Sequence, residues 1–103
     1  MDIAISKNTV PIRLTEERWY HISTGHPEVA AYYFEILETI ENPQKIYQGN
    51  RDELIAVSEK QERTDKFIVV VYKESNLTDG FVITAYISNK EEQFQKKKIL
   101  WKQ

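Results

Sequence analysis

The chain has 103 residues, a formal net charge of −2, and a hydrophobic content of 41%. This size and composition predict one globular domain over 1–103 and exclude intrinsic disorder. The sequence has no cysteine, which excludes disulfides and thiolate zinc sites. With no signal-peptide pattern and no apolar run near the roughly 20 residues of a membrane helix, we predict a cytoplasmic protein that does not contact membranes.

Two short extended segments open the chain. Their apolar residues alternate with polar ones, at Ile3, Ile5, Val10, Ile12 and Leu14. This alternation predicts β-structure. Pro11 has no N–H to donate, so the second segment is predicted to lie at a sheet edge or to serve as a lead-in.

A first helix is predicted over 16–24. Thr15 is a favourable N-cap, and the two glutamates after it lie where the helix dipole favours negative charge. Gly25 is the expected left-handed terminator. Trp19 and Ile22 share a face that we assign to the core, and a flank of the same helix carries an arginine and a histidine.

A second helix is predicted over 27–41. Pro27 suits its first position, and Asn42-Pro43 ends it. Its apolar residues follow a helical stripe at Val29, Tyr33, Ile36, Leu37 and Ile40.

The rest of the chain is predicted as β-structure. Strands are expected over 45–48, 54–59, 66–73 and 81–88, with a polar turn over 61–65, and the third of these is the most apolar and central. Short loops between consecutive strands favour an antiparallel meander. In the last strand, Val82, Thr84, Tyr86 and Ser88 are predicted to share one face.

The predicted fold class is therefore α+β, with two N-terminal helices packed on a four-stranded antiparallel sheet. A short C-terminal helix is expected over 91–101, docked by Phe94, Leu100 and Trp101.

Both histidines of the chain lie in one short stretch, His21 and His26. Imidazole titrates near neutral pH, so the pair could serve as general base and general acid on a phosphodiester. The structural alternative is that His26 caps the second helix and His21 lies at a half-buried helix edge. A zinc site with Glu17 or Glu28 is a further alternative, but the spacing does not match the helical HExxH pattern.

Several other side chains could bind a phosphate or a base. The cations are Arg18, Arg51, Lys66 and Lys73, and the hydrogen-bonding or stacking candidates are Tyr72, Thr84 and Tyr86. Each has a structural alternative as a surface or sheet residue. The cluster Lys96-Lys97-Lys98 with Lys102 is expected on a solvated helix or tail, and the acidic balance counts against a strong sequence-independent nucleic-acid binder.

The ordered segments PIRLTEERWYHISTGHPE, ILETIENPQKIY, KFIVVVYK and GFVITAYISN resemble the phage barnase–EndoU–colicin–RelE-like (BECR-fold) nucleases, in particular their small stand-alone bacterial members. The resemblance covers most of the chain, from Pro11 to Ser88. It implies a RelE- or barnase-like fold and metal-independent RNA cleavage, in which the ribose 2′-OH attacks the adjacent phosphate and leaves a 2′,3′-cyclic phosphate.

The resemblance also implies roles for individual residues. The catalytic candidates are His21, His26, Arg18, Thr84 and Tyr86, and Lys73 is a substrate-binding candidate. Residue type alone adds Tyr72 and Arg51 to the substrate-binding candidates. Neither a cofactor nor a metal is expected. The predicted partners are RNA and, for a toxin-like or phage-related nuclease, an antitoxin protein. The alternative is a catalytically inactive module of the same fold that binds RNA, a protein partner or a second copy of itself.

Overall fold

A computed structural model describes residues 1–60, 63–89 and 91–103. Within these residues, seven strands form one sheet: β1 (Asp2–Ile5), β2 (Pro11–Leu14), β3 (Lys45–Gln48), β4 (Leu54–Lys60), β5 (Arg63–Asn76), β6 (Asp79–Ser88) and β7 (Ile99–Lys102). Their order across the sheet is β1-β2-β6-β5-β4-β3-β7. All neighbouring pairs are antiparallel except β2 and β6, which are parallel.

The predicted fold class is wrong in its sheet, because the described residues form seven strands in a mixed arrangement and not four antiparallel ones. The two N-terminal extended segments pair with each other as β1 and β2. β2 then joins the sheet beside β6 through a short parallel contact, Ile12 with Gly80 and Arg13 with Phe81. A parallel neighbour needs a long crossover, and here the helices and three strands between β2 and β6 supply it.

The central meander is confirmed. β3, β4, β5 and β6 pair consecutively and antiparallel, and the apolar strand β5 lies fourth of seven. Val69 and Val70, adjacent residues of β5, are both fully buried, so both faces of the strand are covered. Of the predicted turn over 61–65, residues 61 and 62 lie outside the described residues, and β5 already begins at Arg63.

The first helix, α1 (Glu16–Gly25), begins as predicted. The Thr15 hydroxyl accepts a hydrogen bond from the Arg18 backbone N–H at 3.1 Å, and Ile22 is buried. Its end differs, because Gly25 belongs to the helix and does not have a positive φ. The helix ends at His26 because the proline that follows has no N–H and disfavours helical backbone in the residue before it.

The predicted second helix is broken in two. A 3₁₀ helix spans Pro27–Val29, and α2 spans Tyr33–Glu41. Between them the chain turns through i→i+3 hydrogen bonds, including Tyr32 N–H to the Val29 carbonyl at 2.8 Å. The apolar stripe still reaches the core, with Val29 and Ile36 both fully buried.

The C-terminal helix predicted over 91–101 is also wrong. The segment forms a 3₁₀ helix, Glu91–Phe94, and then β7, which pairs with β3. Phe94 is buried and stacks on Tyr47 with ring centroids 5.1 Å apart. The edge of β3 was available for pairing, and an extended C-terminal segment covers it.

Buried side chains form two clusters, and alternate residues of β5 enter one or the other. The first cluster packs under the helices and contains Ala4, Val10, Ile12, Leu14, Ile22, Val29, Ile36, Ile40, Ala56, Ile68, Val70, Tyr72, Val82 and Ala85. The second lies on the other face of the sheet and contains Tyr47, Ile55, Val57, Val69 and Phe94, with Phe67, Val71 and Tyr86 packed against it.

The two edges of the sheet approach each other around α2. Lys7, in the turn after β1, has its Nζ 5.0 Å from the ring centroid of Trp101 in β7. The Ile5 backbone N–H of β1 donates to the Glu41 carboxylate at the end of α2, at 2.9 Å. The sheet therefore curls around the helices with its second face outward.

The pH dependence of stability tests how Tyr33 packs against β1. Its hydroxyl donates to the Asp2 carboxylate at 2.7 Å, and burial, followed by this hydrogen bond, raises the pKa of Tyr33 to about 12. Because the unfolded chain releases the phenol proton near pH 10, Tyr33 stabilises the fold fully below pH 10 and progressively less towards pH 12.

We expect urea unfolding between pH 9 and 12 to show a loss of stability that is smaller in Tyr33→Phe than in wild type. The matched control is Tyr20→Phe, since Tyr20 is 66% exposed. An identical pH dependence in wild type and Tyr33→Phe would contradict the prediction.

Candidate active site

His26 lies at the junction of α1 and the 3₁₀ helix, beside Tyr86 of β6. The two ring centroids are 5.6 Å apart with the ring planes at 35°. His26 Nδ1 is 3.5 Å from Glu28 Oε2, and both side chains are about two-fifths exposed, at 42% and 43%. A half-exposed imidazole thus lies between a nearby carboxylate and the Tyr86 ring.

The helix cap at His26 is made by its backbone and not by its side chain. The His26 N–H donates to the Ile22 carbonyl at 2.8 Å, and its imidazole makes no capping hydrogen bond to the following 3₁₀ helix. The structural alternative that His26 caps the second helix is correct for its position, since His26 is the N-cap residue of the 3₁₀ helix, but its side chain makes no capping hydrogen bond.

Tyr86 approaches His26 from the outward face of the sheet. It lies opposite Val69 in β5 and packs against the second cluster. Burial raises the pKa of Tyr86, so its hydroxyl stays protonated at neutral pH. A protonated phenol can donate a hydrogen bond to an anionic oxygen.

Thr84 and Lys73 lie further along the sheet from Tyr86. Thr84 lies opposite Val71, and Lys73 is two residues further along β5, so both share the face of Tyr86. Diagonal neighbours of an antiparallel pair are roughly 7–8 Å apart, which is within the reach of a lysine side chain.

The predicted side-chain alternation in β6 is only partly correct. Thr84, Tyr86 and Ser88 share a face, but Val82 is buried in the first cluster opposite Tyr72. An irregularity between the Tyr72 and Val71 pairs leaves Ile83 as an extra residue in β6. Such a bulge shifts the alternation by one position.

His21 and Arg18 lie on the exposed surface of α1. The His21 side chain is 60% exposed, with Nε2 3.9 Å from a Glu17 carboxylate oxygen, and its ring packs edge-on against Tyr20. Arg18 is exposed in the first turn. In the described part of the chain, no contact joins either residue to His26 or Tyr86.

The remaining predicted residues lie in different environments. Tyr72 is 1% exposed in the first cluster, and burial raises its pKa, so it is a core residue and not a ligand contact. Arg51 is exposed in the turn between β3 and β4, where its backbone N–H donates to Glu53. Another arginine, Arg13, is bound to the Asp79 carboxylate at 2.8 and 3.0 Å and is not available to a phosphate.

The sequence named Glu28 only as a possible zinc ligand, whereas the structure places its carboxylate beside the His26 imidazole. The signal was local, since His-Pro-Glu places a rigid residue between the imidazole and the carboxylate.

Within the described residues, no group of three or more His, Asp or Glu side chains could hold a metal ion. Over the same residues, no helix has the length and apolar character needed to span a membrane.

Comparisons with protein-family models, with curated proteins and with solved structures give no match for this chain. Contacts join His26 to Glu28 and to Tyr86. Thr84 and Lys73 lie further along the same outward face of β5 and β6.

Proposed function

We propose that this protein is a metal-independent endoribonuclease whose general base is His26. The observation that supports this most directly is the half-exposed imidazole between the Glu28 carboxylate and the Tyr86 ring. A base oriented by a carboxylate, next to a neutral hydroxyl donor, is the arrangement that phosphodiester transesterification needs.

His26 Nε2 takes the proton of a ribose 2′-OH, while Glu28 orients the ring and stabilises the imidazolium that forms. The 2′-oxygen then forms a bond to the adjacent phosphorus, and the bond from phosphorus to the 5′-oxygen breaks. The leaving 5′-oxygen takes a proton from water. The products are a 2′,3′-cyclic phosphate and a 5′-hydroxyl end.

Three side chains stabilise the transition state: Tyr86 beside the base, and Thr84 and Lys73 further along the same face of the sheet. Negative charge grows on the non-bridging phosphate oxygens as the pentavalent phosphorus forms, so fixed donors and a cation lower the barrier. Tyr86 and Thr84 donate their hydroxyl hydrogens to these oxygens, and Lys73 contributes a positive charge. The helix junction at His26 thus supplies proton transfer, and the outward face of β5 and β6 supplies charge stabilisation.

The direct test is incubation of the purified protein with tRNA and single-stranded RNA in EDTA. We expect cleavage that leaves 2′,3′-cyclic phosphate ends, detected by mass spectrometry. The same sequence with 2′-O-methyl groups should stay intact, because it has no nucleophile. Cleavage no greater than that of a His21→Ala, His26→Ala double variant would contradict the proposal.

Tyr86→Phe isolates the hydroxyl donor. We expect kcat to fall about 10- to 100-fold, since a hydrogen bond to a charged group contributes roughly 1.5–3 kcal/mol. Tyr20→Phe is the matched control, because Tyr20 is an exposed tyrosine of α1 whose ring packs against His21 and not against His26. Equal rates in the two variants would remove Tyr86 from the mechanism.

A non-catalytic binding module is the alternative, and exposed apolar side chains favour it. Phe34 is 71% exposed, and the edge strand β1 carries Ile3 and Ile5 at 51% and 46% exposure. Open edges and exposed aromatics are typical of protein contacts, with an antitoxin-like partner or a second copy. Light scattering that shows a monomer would remove the homodimer version.

A further inference from the structure

Two basic segments that are far apart in the sequence lie together. The Lys97 ammonium donates to the Asn50 side-chain oxygen at 3.2 Å, and the Gln48 backbone N–H donates to the Lys98 carbonyl at 2.9 Å. The segment Lys96-Lys97-Lys98 is thereby held against the turn that carries Arg51. We name Arg51, Lys96, Lys97 and Lys98 the basic corner.

The basic corner belongs to the face of the sheet that carries the proposed site. The Lys97 backbone N–H donates to the carbonyl of Phe94, whose ring is buried in the second cluster. Tyr86 packs against the same cluster. Lys96, Lys97 and Lys98 therefore come shortly after Phe94 in the sequence, and Phe94 is buried on the outward face.

Lys73 lies between the site and the basic corner. Val69, opposite Tyr86, and Lys73 are four residues apart on β5, which is about 13 Å of strand. The β3–β4 turn lies one strand further, because Leu54, the first residue of β4, pairs with Tyr72. Neighbouring strands are roughly 5 Å apart.

The region formed by Lys73, the basic corner and the β3–β4 turn carries a net positive charge, whereas the whole chain is negatively charged. Lys73 and the basic corner supply five cations against the two carboxylates of the turn, Asp52 and Glu53, whereas the whole chain has a net charge of −2. The Glu53 carboxylate is directed into the turn by hydrogen bonds from the Asn50 and Arg51 N–H groups at 2.7 and 3.1 Å. Lys96 and Lys98 are exposed.

We infer that the basic corner binds the phosphates of single-stranded RNA that flank the cleaved bond, with Lys73 as the link to the site. This inference rests on the proposed function. Exposed lysines that continue a positive surface away from a phosphate site provide sequence-independent strand binding. They would act on substrate affinity and not on the chemical step.

The test uses a fluorescein-labelled single-stranded 2′-O-methyl RNA, which binds without being cleaved. Lys98→Glu and Lys7→Glu form a matched pair, because both lysines are exposed and make the same change in net charge, whereas Lys7 lies in the turn after β1, over the Trp101 ring. Trp101 pairs with Ile46, which lies opposite Ala56 of the first cluster, so Lys7 is not on the face that carries the site. We expect Lys98→Glu to weaken binding roughly tenfold in fluorescence anisotropy at low salt and Lys7→Glu to leave it close to wild type.

The salt dependence provides a second readout. The slope of log affinity against log salt should decrease by about 1 in Lys98→Glu and by more in a Lys96→Glu, Lys98→Glu double variant. In cleavage assays the same variants should raise KM and leave kcat unchanged.

The outcomes separate the two proposals. If wild type cleaves RNA but Lys98→Glu and Lys7→Glu bind the oligonucleotide equally well, the RNA-binding role of the basic corner is wrong and the nuclease proposal stands. If wild type neither cleaves RNA nor binds the oligonucleotide, both fail. Binding to phosphatidylserine vesicles in place of the oligonucleotide would also overturn the RNA assignment.

Discussion

The His26→Ala variant is expected to cleave RNA about 10²- to 10⁴-fold more slowly than wild type, because it removes the general base. The loss should appear in kcat under saturating RNA. The fold should be retained, since His26 caps α1 through its backbone N–H and its side chain is only half-buried. The measurement is the initial rate of RNA cleavage in EDTA.

Two controls accompany His26→Ala. Urea unfolding should show a midpoint close to that of wild type, which separates lost chemistry from lost structure. His21→Ala in the same assay measures the other imidazole, which lies exposed on α1. A loss in His21→Ala as large as in His26→Ala, or an unchanged rate in His26→Ala, would contradict a mechanism in which His26 is the base and water protonates the leaving oxygen.

The second large effect is expected at Gly80, where Gly80→Ala should destabilise the fold by roughly 2–3 kcal/mol. A Cβ atom at this position would lie 2.5 Å from the Lys73 carbonyl oxygen and 2.6 Å from Ile12 Cδ1. The Ile12 methyl could move, but the carbonyl belongs to the backbone of the central strand. Gly80 thus allows β2 and β6 to meet in parallel beside β5.

Gly25→Ala is the matched control for Gly80→Ala. A Cβ atom at Gly25 would meet nothing within 4 Å, and the residue lies in α1 without a positive φ. Alanine is the better helix former, so this variant should be neutral or more stable by up to about 1 kcal/mol. Chemical unfolding of both variants measures the contrast, and equal stabilities would contradict this account of Gly80.

Some features that depend on neighbouring residues in the sequence were predicted correctly. The Thr15 cap, the burial of Ile22 and the central position of β5 all follow from side-chain type and period. The structure corrects features that depend on distant residues. Val82 changed face because Ile83 is an extra residue relative to β5, and pairing with a remote strand produces such a bulge.

For the candidate site, too, the sequence identified residue types, and the structure decided which of them lie together. His26 and Tyr86 were singled out as reactive side chains, but sequence distance could not show that their rings would lie 5.6 Å apart. His21 was grouped with His26 because they are close in sequence, and yet it lies on the exposed surface of α1. The break after Pro27–Val29 and the packing of α1 on β6 direct one histidine towards the sheet and leave the other outside.

The sequence by itself determined the start of α1, the antiparallel meander and the residue types available for chemistry, because caps and side-chain alternation act over a few residues. Only the tertiary structure decided the seven-stranded order, the parallel contact of β2 with β6, and the conversion of the C-terminal segment into β7. These three features depend on which exposed strand edge is paired by a segment that is remote in sequence. The same long-range pairing brings His26, Tyr86 and Lys73 to one face, and so the candidate site depends on pairing that local patterns do not encode.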